Sequence, residues 1–335
     1  MLDVFKSDAF SLFQLTASIN KLPYVPGRIG ELGLFKEEGV SSLSVMIEEQ
    51  QGVLYLIPTA ARGTMPNMAG SQQRKARVFK IPHLPFNTAV MADEVQGVRA
   101  FGSEDSAETV TQKVNDKLEK MRQSHEFTHE WHRVGALKGL ILDADGSSTI
   151  YDLFDEFDLT QDEINFDFSD DDLDVKAKCI ELKRTVEDAL GGTTHTGVHV
   201  FCGDDFFDAL VGHPKVENAF ERFSAGAFYH EDQRPGFEYP KGVTWENYRG
   251  KVGATKFFDD EEGYAHPVGV PDLFSHYMGP ANFIEAVNTI GQKIYAKQEE
   301  MRFGVGIELH TQSNPLLICN RPQCLVKLTM DAESA

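Results

Sequence analysis

The sequence predicts an α+β protein with room for two domains. Three observations carry this. Six prolines lie between Pro23 and Pro85, eight lie from Pro214 to Pro322, and none occurs from Phe86 to His213. Because proline interrupts regular elements, the longest helices fall in the middle. There Val110, Val114, Leu118 and Met121 recur at helical spacing. On either side, short apolar runs bounded by turn residues read as strands.

The elements follow in order. Residues 1–35 read as an arm: Ala9 to Thr16 can form a short helix, which Pro23 and Pro26 would end. An extended segment follows. Ser42 to Glu48 and Val53 to Ile57 are strand-like runs around a Gln-Gln-Gly turn, and a third runs from Arg77 to Ile81. Such a hairpin has little core of its own and makes sense lying on another subunit. Ser106 to Lys138 reads as one helix of about 50 Å, with acids near its start and Arg133 and Lys138 near its end. Phe127, Trp131 and Val134 continue its apolar spacing on a shifted stripe. Gly139 stops it. Leu140 to Leu142 and Thr149 to Tyr151 then form a hairpin around an Asp145-Gly146 turn. Further helices are predicted over Val175 to Leu190, over Asp204 to Val211 with an acidic cap, from Pro214, and near Ala281 to Ala286. Strands are predicted at Val198 to Phe201, around Ile307, at Leu316 to Ile318 and at Gln323 to Leu328.

Charge excludes several classes of function. With 32 bases and 52 acids the net charge is −20. Phosphate binding needs a basic surface, and so does docking on anionic lipid. No signal peptide and no membrane span is predicted. The thiols Cys179, Cys202, Cys319 and Cys324 form no C-x-x-C pair and read as buried and reduced. The charge is uneven. Thirteen acids and no Lys or Arg lie between Gly139 and Val175, whereas Arg62, Arg74, Lys75, Arg77 and Lys80 make the hairpin basic. These five are the candidate contacts between subunits, by head-to-tail complementarity. A solvated loop is the plain alternative.

The sharpest catalytic pattern is His125-Glu126-Phe127-Thr128-His129. On a helix, H-E-x-x-H puts two imidazoles on one face to ligate zinc, and the Glu can activate a zinc-bound water. The metzincin extension fails, because position 132 is His and 135 is Gly. The stretch also fits a polar network on a helix surface. Asp143-Ala144-Asp145-Gly146 has Ile141 where a calcium loop needs an oxygen ligand, so it reads as a turn. The acids Asp167, Asp170, Asp171, Asp172 and Asp174 read as a solvated loop. There is no phosphate-binding G-x-x-x-x-G-K-[ST] and no G-x-S-x-G elbow. No cofactor is expected.

Several stretches, in order, resemble the major capsid protein E family of tailed bacteriophages. They are Lys80-Ile81-Pro82-His83-Leu84-Pro85 with Ala92-Asp93-Glu94-Val95-Gln96, and Arg133-Val134-Gly135-Ala136-Leu137-Lys138-Gly139 leading to Leu142-Asp143-Ala144-Asp145-Gly146. His213-Pro214-Lys215-Val216, Tyr248-Arg249-Gly250, Glu285-Ala286-Val287-Asn288-Thr289 and Gln312-Ser313-Asn314-Pro315-Leu316 follow. The resemblance spans about 15 to 328.

It implies the Hong Kong 97 capsid fold. Its parts would be an N-terminal arm at 1–35, an extended loop at 36–82, a peripheral domain at 83–150 and 301–335 with a spine helix at about 106–138, and an axial domain at 151–300. The implied function is a structural protein that assembles as hexamers and pentamers into an icosahedral head around double-stranded DNA. The implied partners are copies of itself, a portal and a separate scaffolding protein, since the chain starts almost at the arm. A decoration protein and a maturation protease are further partners it would accommodate. Some relatives of the fold join a loop Lys to an Asn; nothing in this loop establishes that, and none is expected. A zinc hydrolase at His125, Glu126 and His129, and a cargo-holding bacterial shell, are the alternative readings.

Overall fold

The computed structural model describes residues 12–21, 27–49, 75–96, 106–170, 172–221, 233–253 and 255–330. Helix α1 (Leu12–Lys21) and the short α2 (Arg28–Glu31) lead to strand β1 (Phe35–Gly39). Strands β2 (Ser44–Glu49) and β3 (Lys75–Lys80) pair as a two-stranded ribbon. The expected strand at Val53 to Ile57 lies outside the described residues, as do Arg62 and Arg74. Strand β4 (Leu84–Met91) and α3 (Ala92–Gln96) precede the long helix α4 (Ser106–Lys138).

Gly139 turns the chain at φ +84°, where a residue without Cβ is at ease. The hairpin β5 (Leu140–Leu142) and β6 (Thr149–Asp152) follows. Its connection is not the expected tight Asp-Gly turn. It is a six-residue loop in which the Asp145 carboxylate accepts the N–H groups of Ser147 (2.9 Å) and Ser148 (2.8 Å). The Asp side chain closes the loop from inside, as Asx turns do.

Next come α5 (Leu153–Glu156), β7 (Asp162–Asn165) and α6 (Val175–Leu190). The bounds of α6 follow from its caps. Asp174 accepts the N–H of Ala177 at 3.0 Å, and Gly191 ends it at φ 61°. Strand β8 (Gly197–Cys202), α7 (Asp204–Gly212) and α8 (Pro214–Glu221) follow. Helix α7 is capped by Gly203 with no side-chain bond, and its acids sit in the first turn instead. They act on the helix dipole rather than as a cap.

The strands β9 (Phe237–Glu238), β10 (Val243–Asn247), β11 (Lys251–Val252), β12 (Thr255–Lys256), β13 (Glu262–Val268) and β14 (Phe274–Met278) come next. The helix expected near 281–286 is a single 3-10 turn, Ile284–Ala286. Strands β15 (Tyr295–Glu300), β16 (Gly306–Ser313), β17 (Pro315–Cys319) and β18 (Val326–Thr329) complete the described chain. The closing strand starts later than expected, because Pro322 to Cys324 form a 3-10 turn.

The chain folds as two compact units. The first holds 1–46, 78–133 and 274–317. Here β15, β16 and β4 form an antiparallel sheet in that order. Leu15 and Ile19 of α1 and Val114, Leu118 and Met121 of α4 share a buried core with Val90, Ile294, Ala296, Ile307 and Leu309. The spacing of those α4 residues is the helical period read in the sequence.

The second unit holds 47–77, 134–273 and 318–335. Its six strands run in the order β7-β18-β13-β8-β10-β9. The face of α6 made by Val175, Cys179, Leu182, Val186 and Leu190 lies in one core with Phe166, Phe206 and Trp245. All four cysteines are free and buried, and burial pushes the Cys179 thiol up to about 12 and Cys324 to about 11. They are inert thiols that behave as small apolar groups.

Candidate functional site

Below Met121 the buried face of α4 changes character. Arg122, His125, Glu126, His129, Glu130, His132 and Arg133 are all buried, His129 completely. Their spacing of three and four is that of an apolar helix face, but the occupants are polar. Of the apolar stripe expected through Phe127, Trp131 and Val134, only Val134 is fully buried. Phe127 is 47% exposed and Trp131 is half-buried. The reading of this stretch as a surface network is overturned as well, since the network lies inside the first unit.

Two imidazoles of that face have specific hydroxyl partners. His125 Nε2 lies 2.9 Å from Thr311 Oγ1, and His129 Nε2 lies 2.8 Å from Ser313 Oγ. The match is geometric. Four residues of helix rise about 6 Å and two residues of strand about 6.6 Å. Two imidazoles one turn apart therefore meet two hydroxyls on one face of β16. The hydroxyls fix the tautomers. Thr311 donates to the Phe86 carbonyl (3.2 Å) and Ser313 to the Lys293 carbonyl (2.6 Å). Each hydroxyl has spent its proton, so both imidazoles donate from Nε2–H.

Burial decides their charge. It lowers His125 to about 4, with His310 adding to the effect, and it pushes His129 well below its ordinary value. His276 is lowered by the same cause, and its ring packs edge-on against His129 at 5.5 Å. The cations nearby serve the carboxylates. Lys293 Nζ sits 3.2 Å from Glu126 and 3.6 Å from Glu37. Arg133 lies 3.1 Å from Glu130. Arg122 donates to the Ile19 carbonyl on α1.

This arrangement does not make a zinc site. Both Nε2 atoms are engaged as donors to hydroxyls of β16, which leaves only the Nδ1 atoms bare. Among the described residues no group of three or more His, Cys, Asp or Glu is placed to hold a metal. The H-E-x-x-H spacing is used to clamp helix to strand. Its partners Thr311 and Ser313 were missed by motif reading. Their signal was two hydroxyls at alternate positions of a strand.

The basic hairpin is only partly described. Arg62 and Arg74 lie outside the described residues, and Lys75 begins β3. Lys80 is exposed. Arg77 is held within its own chain. Its guanidinium donates to the Glu156 carbonyl, pairs with Asp158 at 3.1 Å and stacks 5.1 Å from the Phe157 ring centre.

A unit built on a three-stranded sheet and a long helix, and a second built on a six-stranded sheet, occur in more than one class of protein. Comparison with known proteins decides which. The model of the family "Phage major capsid protein E" matches residues 11–330. The chain belongs to the phage major capsid protein E family. It is similar to the major capsid protein of Salmonella phage Felix O1, at 29% identity over 99% of this chain and 100% of that protein. It is also similar to that of Pseudomonas phage KPP10, at 28% identity over 95% and 96%. Among solved structures it resembles a prophage protein of E. coli CFT073 described as a capsid protein, with TM-score 0.56, 12% identity and coverage of 96% and 99%.

The family accounts for the α+β architecture, which is that of Hong Kong 97-type capsid proteins. As a phage capsid protein the chain is a structural component of a tailed-phage head, located in the virion, and not an enzyme. The polar face of its long helix is therefore structural equipment of a capsid protein.

Proposed function

We propose that copies of this chain form hexamers and pentamers that close into an icosahedral shell around double-stranded DNA. The observation that carries this is the family match across residues 11–330. The peripheral role falls to the unit that holds most of α4 and the β15-β16-β4 sheet. The axial role falls to the unit with the six-stranded sheet. The part of the extended loop (36–82) beyond β1 lies on a neighbouring copy, whereas α1 and α2 of the arm (1–35) are held in the first unit of their own chain, and many modest contacts add up by multivalency. Arg62, Arg74, Lys75 and Lys80 are the contacts to acidic surface on those neighbours.

Assembly takes place in the host cytoplasm with a separate scaffolding protein and a portal. A decoration protein and a maturation protease are compatible additions. The net charge of −20 suits a wall that encloses DNA without gripping it, because acids repel phosphate. Negative-stain microscopy of concentrated protein tests the reading. Shells, hexamers or pentamers are expected. A stable monomer at every concentration would overturn it.

A further inference from the structure

The hairpin that joins β15 to β16 ends in a loop with two unusual properties at one residue. Residues 302–305 form the loop, closed where the Met301 N–H donates to the Gly306 carbonyl at 3.0 Å. Phe303 sits in the left-handed region at φ 63°, ψ 13°, next to Gly304 at φ 63°. That region suits Gly or Asn and is an outlier for a bulky aromatic. Phe303 is also 98% exposed, so nothing within the described chain repays the strain. Val305 beside it is 46% exposed. A strained, solvated aromatic is the kind of outlier from which a functional contact is argued.

The same hairpin carries two facing acids, of which Glu308 accepts the Asn87 side-chain amide at 2.9 Å. Glu299 and Glu308 stand directly opposite each other across the strands, an arrangement that repels. Among the described residues no Lys or Arg forms an ion pair with either. The β2-β3 ribbon offers the complement. Val45, Ile47 and Phe79 are buried, while Met46 and Val78 are each 63% exposed. Alternation along a strand sends the two sets to opposite faces. The ribbon therefore has an outward apolar face, bordered by the exposed Lys80 in a stretch whose sequence is basic.

We infer that the Phe303 tip of one copy docks on the outward ribbon face of a second copy, with Phe303 against Met46 and Val78 and the Glu299–Glu308 pair facing Lys80. This rests on the shell assembly proposed above. The occupant is a second copy because the apolar tip matches the apolar ribbon face and the acids of the hairpin match the base that borders it.

Cysteine pairing in assembled shells tests it. The four native thiols are buried, so introduced ones report alone. Co-assembled F303C and M46C chains, oxidised and run without reductant, should give disulfide-linked dimers that neither variant gives by itself. F303N keeps a residue that tolerates the left-handed turn. It should leave subunit melting unchanged or raised while lowering shell yield at least tenfold. Normal shell yield with F303N overturns the inference. So do dimers from F303C alone, which would set the tip against another tip. Wild-type shells without the mixed cross-link overturn this contact only, whereas wild-type protein that never assembles overturns the shell reading and the contact with it.

Discussion

The Glu130 carboxylate accepts the backbone N–H of Ile29 at 2.7 Å and that of Gly30 at 3.1 Å, across about a hundred residues of chain. One side chain of the long helix α4 thus serves the free N–H groups at the start of α2, which has no side-chain cap of its own. The approach is close. A Cβ on Gly27 would stand 2.3 Å from the Glu130 carboxyl carbon, so glycine is required there. Arg133 balances the buried charge at 3.1 Å.

Removing the carboxylate leaves Arg133 buried without its partner and two N–H groups unbonded. Glu130→Ala should destabilise the first unit by about 3–5 kcal/mol, the range for breaking a buried pair. Glu130→Gln keeps the shape and some bonding, and should cost about 1–3 kcal/mol. Urea unfolding of the dissociated subunit measures both. Equal effects would show that charge is irrelevant to the cap.

The neutral imidazoles make stability depend on pH. His125 is held at about 4 when folded and titrates near 6.5 when unfolded. Above about pH 6.5 neither state is protonated and stability is flat. Between about 6.5 and 4 the unfolded chain binds a proton that the folded chain does not. Stability therefore falls as pH falls, by about 3 kcal/mol for this one group. His129 and His276 act in the same direction. The urea midpoint measured from pH 7.5 down to 4.5 should drop, and His125→Gln should flatten that slope. An unchanged slope would mean that folding does not shift the titration of His125.

Legibility in the sequence followed how local the cause was. Helices α4 and α6 could be bounded from sequence because Gly139, Asp174 and Gly191 are local signals. The six-residue loop after β5 was missed because bonds from Asp145 to Ser147 and Ser148 extend the connection beyond its Asp143–Gly146 turn. The buried face of α4 was misread for a tertiary reason. Polar residues such as His129 and Glu130 are tolerated inside only where partners like Ser313 and Ile29 arrive from distant chain. No window along the helix contains that information. The family, by contrast, was legible, because it depends on the order of many short stretches rather than on any one contact.

The basic hairpin separates into two kinds of residue. Arg77 is committed to Asp158, Glu156 and Phe157 of its own chain. Asp158 is well exposed, so the ion pair is worth little, and the ring contact adds about 0.5–1 kcal/mol. Arg77→Glu should destabilise the isolated subunit by about 1–2 kcal/mol. Arg74→Glu and Lys75→Glu should leave subunit melting unchanged and slow assembly, with an effect that fades in high salt. Melting curves and light scattering on the same variants distinguish these outcomes. A large melting loss in the Arg74 or Lys75 variant would place that residue in the subunit's own fold.

Gly139 is an exacting backbone position in the second unit. Its φ of +84° is strained for any L residue. A Cβ there would also lie 2.2 Å from the Phe154 ring. The backbone cannot rotate away freely, because the Leu153 N–H donates to the Gly139 carbonyl at 2.8 Å. Gly139→Ala should therefore cost about 2–4 kcal/mol, part from the dihedral and part from overpacking. The two parts can be separated. Phe154→Leu makes room for the methyl group without touching the dihedral. In a double-mutant cycle the pair should cost less than the sum of the single changes, by about 1–2 kcal/mol. Strict additivity would assign the whole penalty to the backbone and none to the ring.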